Sequence, residues 1–187
     1  MKKTKFKTSN IFFLIVIVLL IIPQTRQPIQ VFLNKGLALF SPSIESETNR
    51  TSISFEDWQL KDLRGTVINF KDLENKVIFL NFWATWCPPC IAEMDGIQEL
   101  YNDYKDDAVF LLISSEEINI VQNFIKKKGY SLNSYVPLAD YPSNFNIRSI
   151  PRTFLINKKG EIVIDKSGAA NWNSNKVRTK LEELISQ

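Results

Sequence analysis

Cys87 and Cys90 are the only cysteines among 187 residues, and they stand as a C-x-x-C pair in Trp83-Ala84-Thr85-Trp86-Cys87-Pro88-Pro89-Cys90. The apolar run Val77-Ile78-Phe79-Leu80-Asn81-Phe82-Trp83 leads into them and a helical pattern follows. Two cysteines three residues apart at a helix start can close a small disulfide ring and reopen it. The first sulfur lies where unpaired backbone N–H groups and the positive dipole end favour a thiolate. That chemistry is thiol–disulfide exchange. A structural zinc site would need four ligands, and a chain with no histidine and no further cysteine lacks two. A purely structural staple closing so short a loop would constrain the unfolded chain little.

In such a pair Cys87 is the expected nucleophile, N-terminal and the more exposed. Cys90, one turn in, is the resolving thiol that attacks the mixed disulfide and releases the partner. Neither Pro88 nor Pro89 has an N–H to donate to the Cys87 sulfur, and no imidazolium is available. Strong oxidants in this chemistry owe their strength to a stabilised reduced form, so the sequence points to a reductant. Glu93, three residues after Cys90, has two open readings: proton transfer to or from Cys90, or a solvated charge complementing the helix dipole. Asn81 cannot act as a base. Trp83 and Trp86 are expected to wall the site, with Trp86 the better candidate for partner contact.

The stretch Asn81–Cys90 followed by Glu93-Met94 resembles the active-site segment of the TlpA/ResA-like branch of the thioredoxin superfamily. Ser149-Ile150-Pro151-Arg152-Thr153-Phe154-Leu155-Ile156-Asn157-Lys158-Lys159-Gly160 is similar to the same family's cis-proline loop, strand and turn. The resemblance runs from about Ser54 to the C-terminus. It implies a thioredoxin fold, a membrane-tethered extracytoplasmic thiol–disulfide oxidoreductase, and a cis Ile150–Pro151 bond. That loop would face the cysteines and leave backbone groups free for an extended substrate peptide, so Trp86, Ile150 and Pro151 are the expected substrate-binding residues. The family often has a proline after Glu-Met, where this chain has Asp95-Gly96.

The elements that must position these residues read as follows. Trp58–Leu60 and Thr66–Phe70 flank Asp62-Leu63-Arg64-Gly65, a hairpin signal. Val77–Trp83 and Ala108–Ser114 are buried strands. A helix from Pro88 carries Cys90, Met94, Ile97, Tyr101 and Tyr104 on one face. Glu116–Lys128 reads as a helix ending at Gly129, and Ser134–Leu138 as an edge strand or extended loop. Phe154–Ile156 and Ile162–Ile164 form a hairpin, and Asn175–Ser186 a terminal helix. The expected fold is α/β, a thioredoxin-like three-layer sandwich with a mixed central sheet and an N-terminal β-hairpin, preceded by a membrane anchor.

Composition agrees with a packed domain: 44% of residues are hydrophobic and 12% aromatic. The formal charge of +3 resides outside it, because from Arg50 onward 17 Lys and Arg face 18 Asp and Glu. That balance argues against a nucleic-acid partner. Lys126-Lys127-Lys128 reads as a solvated last helical turn.

Lys2, Lys3, Lys5 and Lys7 precede the wholly apolar Ile11–Ile22, which Pro23 closes. Twelve residues fall short of the roughly 20 a span needs and fit the h-region of a signal peptide. No small-residue cleavage site and no lipobox cysteine follow. The favoured reading is an uncleaved anchor reaching back through Thr8, Ser9 and Asn10, with a cleaved signal peptide as its rival. Either one places the cysteines outside the cytoplasm. Ile29–Phe40 is open between an interfacial helix on the outer leaflet and a loosely ordered connector, and Ser41–Ser52 reads as a linker.

The expected division is 1–28 for the cytoplasmic N-terminus and transmembrane signal anchor, 29–52 for the interfacial segment and linker, and 53–187 for the domain. The sequence as a whole predicts a single-pass protein of the cell membrane, its domain on the extracytoplasmic (periplasmic) side, with no metal and no cofactor. Its partners would be oxidised exported proteins held as mixed disulfides, with apocytochrome c thiols suggested by family analogy, and a membrane thiol donor of the DsbD/CcdA type. The alternatives are a thiol oxidase or isomerase, and a non-catalytic redox sensor or binding module.

Overall fold

The computed structural model describes residues 8–142, 145 and 147–187. Lys2, Lys3, Lys5 and Lys7 lie outside the described residues.

Seven strands form one sheet: β1 (Gln59–Asp62), β2 (Val67–Asn69), β3 (Ile78–Phe82), β4 (Val109–Ile113), β5 (Ser134–Pro137), β6 (Arg152–Ile156) and β7 (Ile162–Ser167). Their order is β2-β1-β5-β4-β3-β6-β7. Strands β3, β4 and β5 run parallel, while β6, β7 and the β1–β2 hairpin add antiparallel edges. The mixed sheet and N-terminal hairpin are as the sequence predicts. The edge position of β5 is not: β1 pairs along its free side, Leu60 opposite Pro137. Pro137 is tolerated there because it ends the strand, and the ladder resumes where Leu138 N–H donates to the Gln59 carbonyl at 3.0 Å.

Strand β3 is buried along its whole length. Its alternate residues feed two cores. Phe79 and Trp83 face one core with Phe110, Leu112 and Leu155, and Ile78, Leu80 and Phe82 face the other with Leu111, Ile113 and Phe154.

Helices α3 (Pro88–Tyr104), α4 (Ile118–Lys128) and α5 (Asn175–Ser186) all contribute to the first core, through Met94 and Ile97, Val121 and Ile125, and Leu181 and Leu184. The crossovers β3-α3-β4 and β4-α4-β5 step in the same direction across the sheet, so right-handed connections put both helices on one face. The three-layer sandwich therefore takes a different form from the one expected. Among the described residues the second face is covered by an aromatic layer in place of α-helices: Phe55, Trp58, Phe70, Tyr141 and Phe145 over Phe82 and Phe154. Helix α4 ends on Gly129 at φ 71°, a left-handed position that glycine takes without a Cβ penalty.

Two helices precede the domain, α1 (Thr8–Ile21) and α2 (Pro23–Leu37). The 14 residues of α1 reach about 21 Å at ~1.5 Å per residue, short of the ~30 Å hydrocarbon core. Among the described residues no single helix is long and apolar enough to cross a membrane; Ile11–Ile21 and Gln24–Leu37 qualify only together, bent by 93°. Helix α2 runs through position 28 and packs along α3, so the stretch after Ile29 is not a loose connector. The following segment also adheres to the domain: Glu45 N–H bonds the Val163 carbonyl at 2.9 Å, and Ser52 bridges Glu161.

Candidate active site

Strand β3 ends at Phe82, and Trp83–Trp86 turn the chain into α3 with Cys87 as the N-cap. Pro88 and Pro89 occupy the first helical positions, where a missing N–H costs nothing. Cys87 and Cys90 are joined as a disulfide across that first turn. The Cys90 N–H points at Cys87 Sγ at 3.3 Å. With the prolines silent, it is the donor that the helix terminus offers to this sulfur. Both cysteines are buried, at 3% and 1% exposure, so the expected advantage of Cys87 in accessibility is slight in the oxidised form.

Pro151 follows a cis peptide bond at the start of β6. Its carbonyl is not free for a partner, because it accepts the Gly168 N–H at 2.9 Å. Among the described residues Ile150 has no backbone partner, so the open backbone lies one residue earlier than the proline. Ile150 and Trp86 line one cavity of about 240 Å³ together with Phe82, Tyr141 and Ile147. Trp86 is 65% exposed, whereas Trp83 is buried against Phe124; both line this cavity, Trp83 from the core and Trp86 from the surface.

Glu93 is 2% exposed, which overturns the solvated-charge reading. Its Oε2 accepts from Trp172 Nε1 at 2.9 Å and from the Ala170 N–H at 3.1 Å, and its Oε1 from Asn81 Nδ2 at 3.0 Å. Asn81 also donates to Thr153 Oγ1 at 2.7 Å. Burial outweighs these three neutral donors and pushes the carboxyl up to about 8. At i+3 from Cys90 it shares that residue's helix face, with Cβ atoms roughly 5–6 Å apart. A buried carboxyl poised near neutrality can hold a proton and exchange it over the working pH range.

Two further residues reach the site without a sequence signal. Glu116, expected to begin a helix, precedes α4, whose N-cap is Glu117. Its carboxylate grips Thr85, taking the Thr85 N–H and the Thr85 hydroxyl at 2.7 Å each, and Ser114 Oγ supports it at 3.1 Å. From the other side Gln27 Nε2 of α2 donates to the Thr85 carbonyl at 3.0 Å. The residue two before Cys87 is thus held on three atoms by two distant segments. Neither partner could be found from sequence spacing, because each contact depends on how separate elements pack. Among the described residues no cluster of His, Cys, Asp or Glu could hold a metal ion.

Comparison with known proteins agrees with this geometry. The Redoxin family matches residues 46–183. Thiol-disulfide oxidoreductase ResA of Halalkalibacterium halodurans is 39% identical over 107 residues, 56% of this chain and 61% of that protein. ResA of Bacillus thuringiensis subsp. konkukian is 34% identical over 129 residues, 66% of this chain and 70% of that protein. The chain thus spans about three-fifths of the first of these relatives. Among solved structures, a secreted thiol-disulfide isomerase from Corynebacterium glutamicum superposes with a TM-score of 0.60 at 23% identity, over 78% of this chain and 92% of that one, and shares the fold. The exposed lipoprotein thioredoxin Etrx1 of Streptococcus pneumoniae superposes at 0.54 with 26% identity, over 69% of this chain and 100% of that one. With the Cys-Pro-Pro-Cys turn, the cis proline and the mixed sheet in place, the chain belongs to the redoxin family, in the ResA/TlpA-like branch of the thioredoxin superfamily.

Proposed function

We propose that this chain is a thiol–disulfide oxidoreductase that works as a reductase of exported proteins from the outer face of the cell membrane. The observation that carries the reading is the Cys87–Cys90 disulfide closed across the first turn of α3, with Glu93 buried in the same helix below it. In the reduced protein the Cys87 thiolate attacks a substrate disulfide. A Cys87–substrate disulfide forms, the substrate S–S bond breaks, and the departing thiolate takes a proton. Cys90 then gives up its proton, with Glu93 as acceptor, and attacks Cys87 Sγ. The second substrate thiolate leaves, and the Cys87–Cys90 disulfide carries the two electrons' worth of oxidation.

Trp86 and Ile150 offer the partner an apolar wall and an open backbone edge, with Pro151 setting the loop. A membrane thiol donor of the DsbD/CcdA type would return the protein to the dithiol. Apocytochrome c thiols are the substrate class that family analogy suggests. The lysine-rich start, the apolar α1 and the absence of a small-residue cleavage site support an anchor with the domain outside.

Insulin reduction by the full chain in detergent is the test. Wild type should turn over with a thiol donor, and Cys87→Ser should abolish turnover. Binding of oxidised insulin without turnover would favour a sensor or binding module. For the anchor, alkaline extraction should leave the protein in the membrane fraction with residues 1–28 intact. A soluble chain trimmed near Gln24–Gln30 would mean a cleaved signal peptide.

A further inference from the structure

Helix α2 leaves its largest apolar side chains in the open. The helix packs along α3, and its half-buried positions mix polar and apolar residues: Thr25, Gln27, Ile29, Gln30, Val31 and Asn34, with Ala38 just beyond. Gln27 bonds Thr85 from this face, and Lys35 at its margin pairs with Asp95 at 3.0 Å. The opposite stripe carries the bulk. Phe32, Leu33 and Leu37 are 76%, 66% and 57% exposed, and Leu39 and Phe40 after the helix are 72% exposed each. A helix that served only to pack on a soluble domain would turn that stripe inward, and a contiguous exposed apolar surface marks a contact with something else.

A groove of about 660 Å³ separates α2 from α4. Val31, Phe32 and Phe124 line it, and Lys35, Lys127 and Lys128 stand along it, with no carboxylate among the lining residues. Asp95, which pairs with Lys35 and accepts from Tyr130, also attracts Lys128 at longer range, so one carboxylate faces three lysines. Neither Lys127 nor Lys128 forms a salt bridge with a described residue. The apolar α1 joins α2 directly, at the 93° bend.

We infer that the outer face of α2 and the lysine end of α4 together form a contact surface for an anionic phospholipid bilayer, which holds the domain down on the membrane. The inference rests on the anchor reading above and extends it. Phe32, Leu33 and Leu37 enter the interfacial zone, as an in-plane amphipathic helix does, while Lys127, Lys128 and Lys35 meet the phosphates. Charge favours lipid over a second copy of the chain, since a two-fold contact through this patch would bring like lysines together. Helix α2 also grips Thr85, and Arg26 and Gln30 line a crevice shared with Trp86 and Pro88. The dithiol is therefore kept close to the lipid surface, and a partner must bring its disulfide there.

Lysine acetylation by a water-soluble ester tests this on the full chain in vesicles. Membranes of mixed phosphatidylglycerol and phosphatidylcholine are compared with phosphatidylcholine alone, and each lysine is read by mass spectrometry. Lys127 and Lys128 should react about fivefold more slowly in the anionic membrane, the occupancy one lysine's attraction to such a surface supports. High salt should erase the difference. Lys71 and Lys76, exposed near the second face of the sheet, should not change. The double variant Leu33→Ser/Leu37→Ser should lose the protection while insulin reduction in detergent is kept.

Equal reactivity in both membranes overturns the inference. So does protection that appears in phosphatidylcholine and rises with protein concentration, which would assign the patch to a second copy. If alkaline extraction releases the chain, the anchor reading has failed by itself. Sedimentation of the released chain with the vesicles then decides: pelleting with phosphatidylglycerol only upholds the lipid surface, and pelleting with neither removes it.

Discussion

Trp172 donates its indole N–H to Glu93 at 2.9 Å across 79 residues of sequence, and both side chains are buried. The bond joins the segment before α5 to the helix that carries the cysteines. It places the one carboxyl of the site's interior in a pocket where burial raises its affinity for a proton, so that it exchanges one at about pH 8.

A first expectation concerns stability. The Glu93 carboxyl is raised from an ordinary value of 4.5 to about 8 in the fold. The folded state therefore binds more protons than the unfolded one between these values. Its contribution is fully present below about pH 4.5 and is lost as pH rises through about 8. Chemical denaturation across that range should show wild type losing stability relative to Glu93→Gln. A constant difference between the two proteins would contradict the burial-driven shift.

The same carboxyl should show in kinetics. If Glu93 accepts the Cys90 proton, Glu93→Gln should slow release of the mixed disulfide by roughly a hundredfold, the lower end for general base catalysis. It should also remove a titration near pH 8. Trp172→Phe, which keeps an aromatic ring but withdraws a donor to the carboxylate, should move that titration upward. Unchanged pH–rate profiles in both variants would assign Glu93 a structural role only.

Glu116 gives a separate test. Glu116→Ala leaves the Thr85 N–H and hydroxyl without their acceptor, a loss of about 1–3 kcal/mol. Glu116→Gln, which keeps one acceptor oxygen, should cost less. Urea unfolding measures both. Equal stability of wild type and Glu116→Ala would show the clamp to be incidental.

These residues also mark the limit of what the sequence discloses. The strand–turn–helix around Cys87 is local: an apolar run, two prolines suited to a first turn and a helical period fix it without outside help. The α5 boundaries, Asn175–Ser186, follow from the same kind of periodicity. Glu93 could not be placed that way, because its burial depends on Trp172 and Ala170 arriving from beyond β7. Position β5 looked like an edge because Pro137 lacks a donor; only the docking of β1 makes it internal. The second face of the sheet likewise depends on the direction of successive crossovers, which no single segment encodes. In α2 the apolar residues were visible, but not which side of the helix would meet α3.

The two sulfurs should differ in reaction. Cys90→Ser should leave a Cys87 thiol that accumulates mixed disulfides with exported proteins, while Cys87→Ser should leave a Cys90 that does not. Thiol trapping followed by non-reducing electrophoresis separates them. Equal trapping by both variants would contradict the assigned order.

The direction of electron flow is tested most directly by the equilibrium potential of the Cys87–Cys90 couple, measured for the full chain against a glutathione series. Pro88 and Pro89 donate nothing to the Cys87 sulfur and the chain holds no histidine, which leaves the Cys90 N–H as its local donor. A weakly stabilised thiolate means a reducing couple, so the potential should fall nearer thioredoxin, about −270 mV, than DsbA, about −120 mV. A value above about −180 mV, that of protein disulfide isomerase, would contradict the reductase and make the protein a thiol oxidase or isomerase.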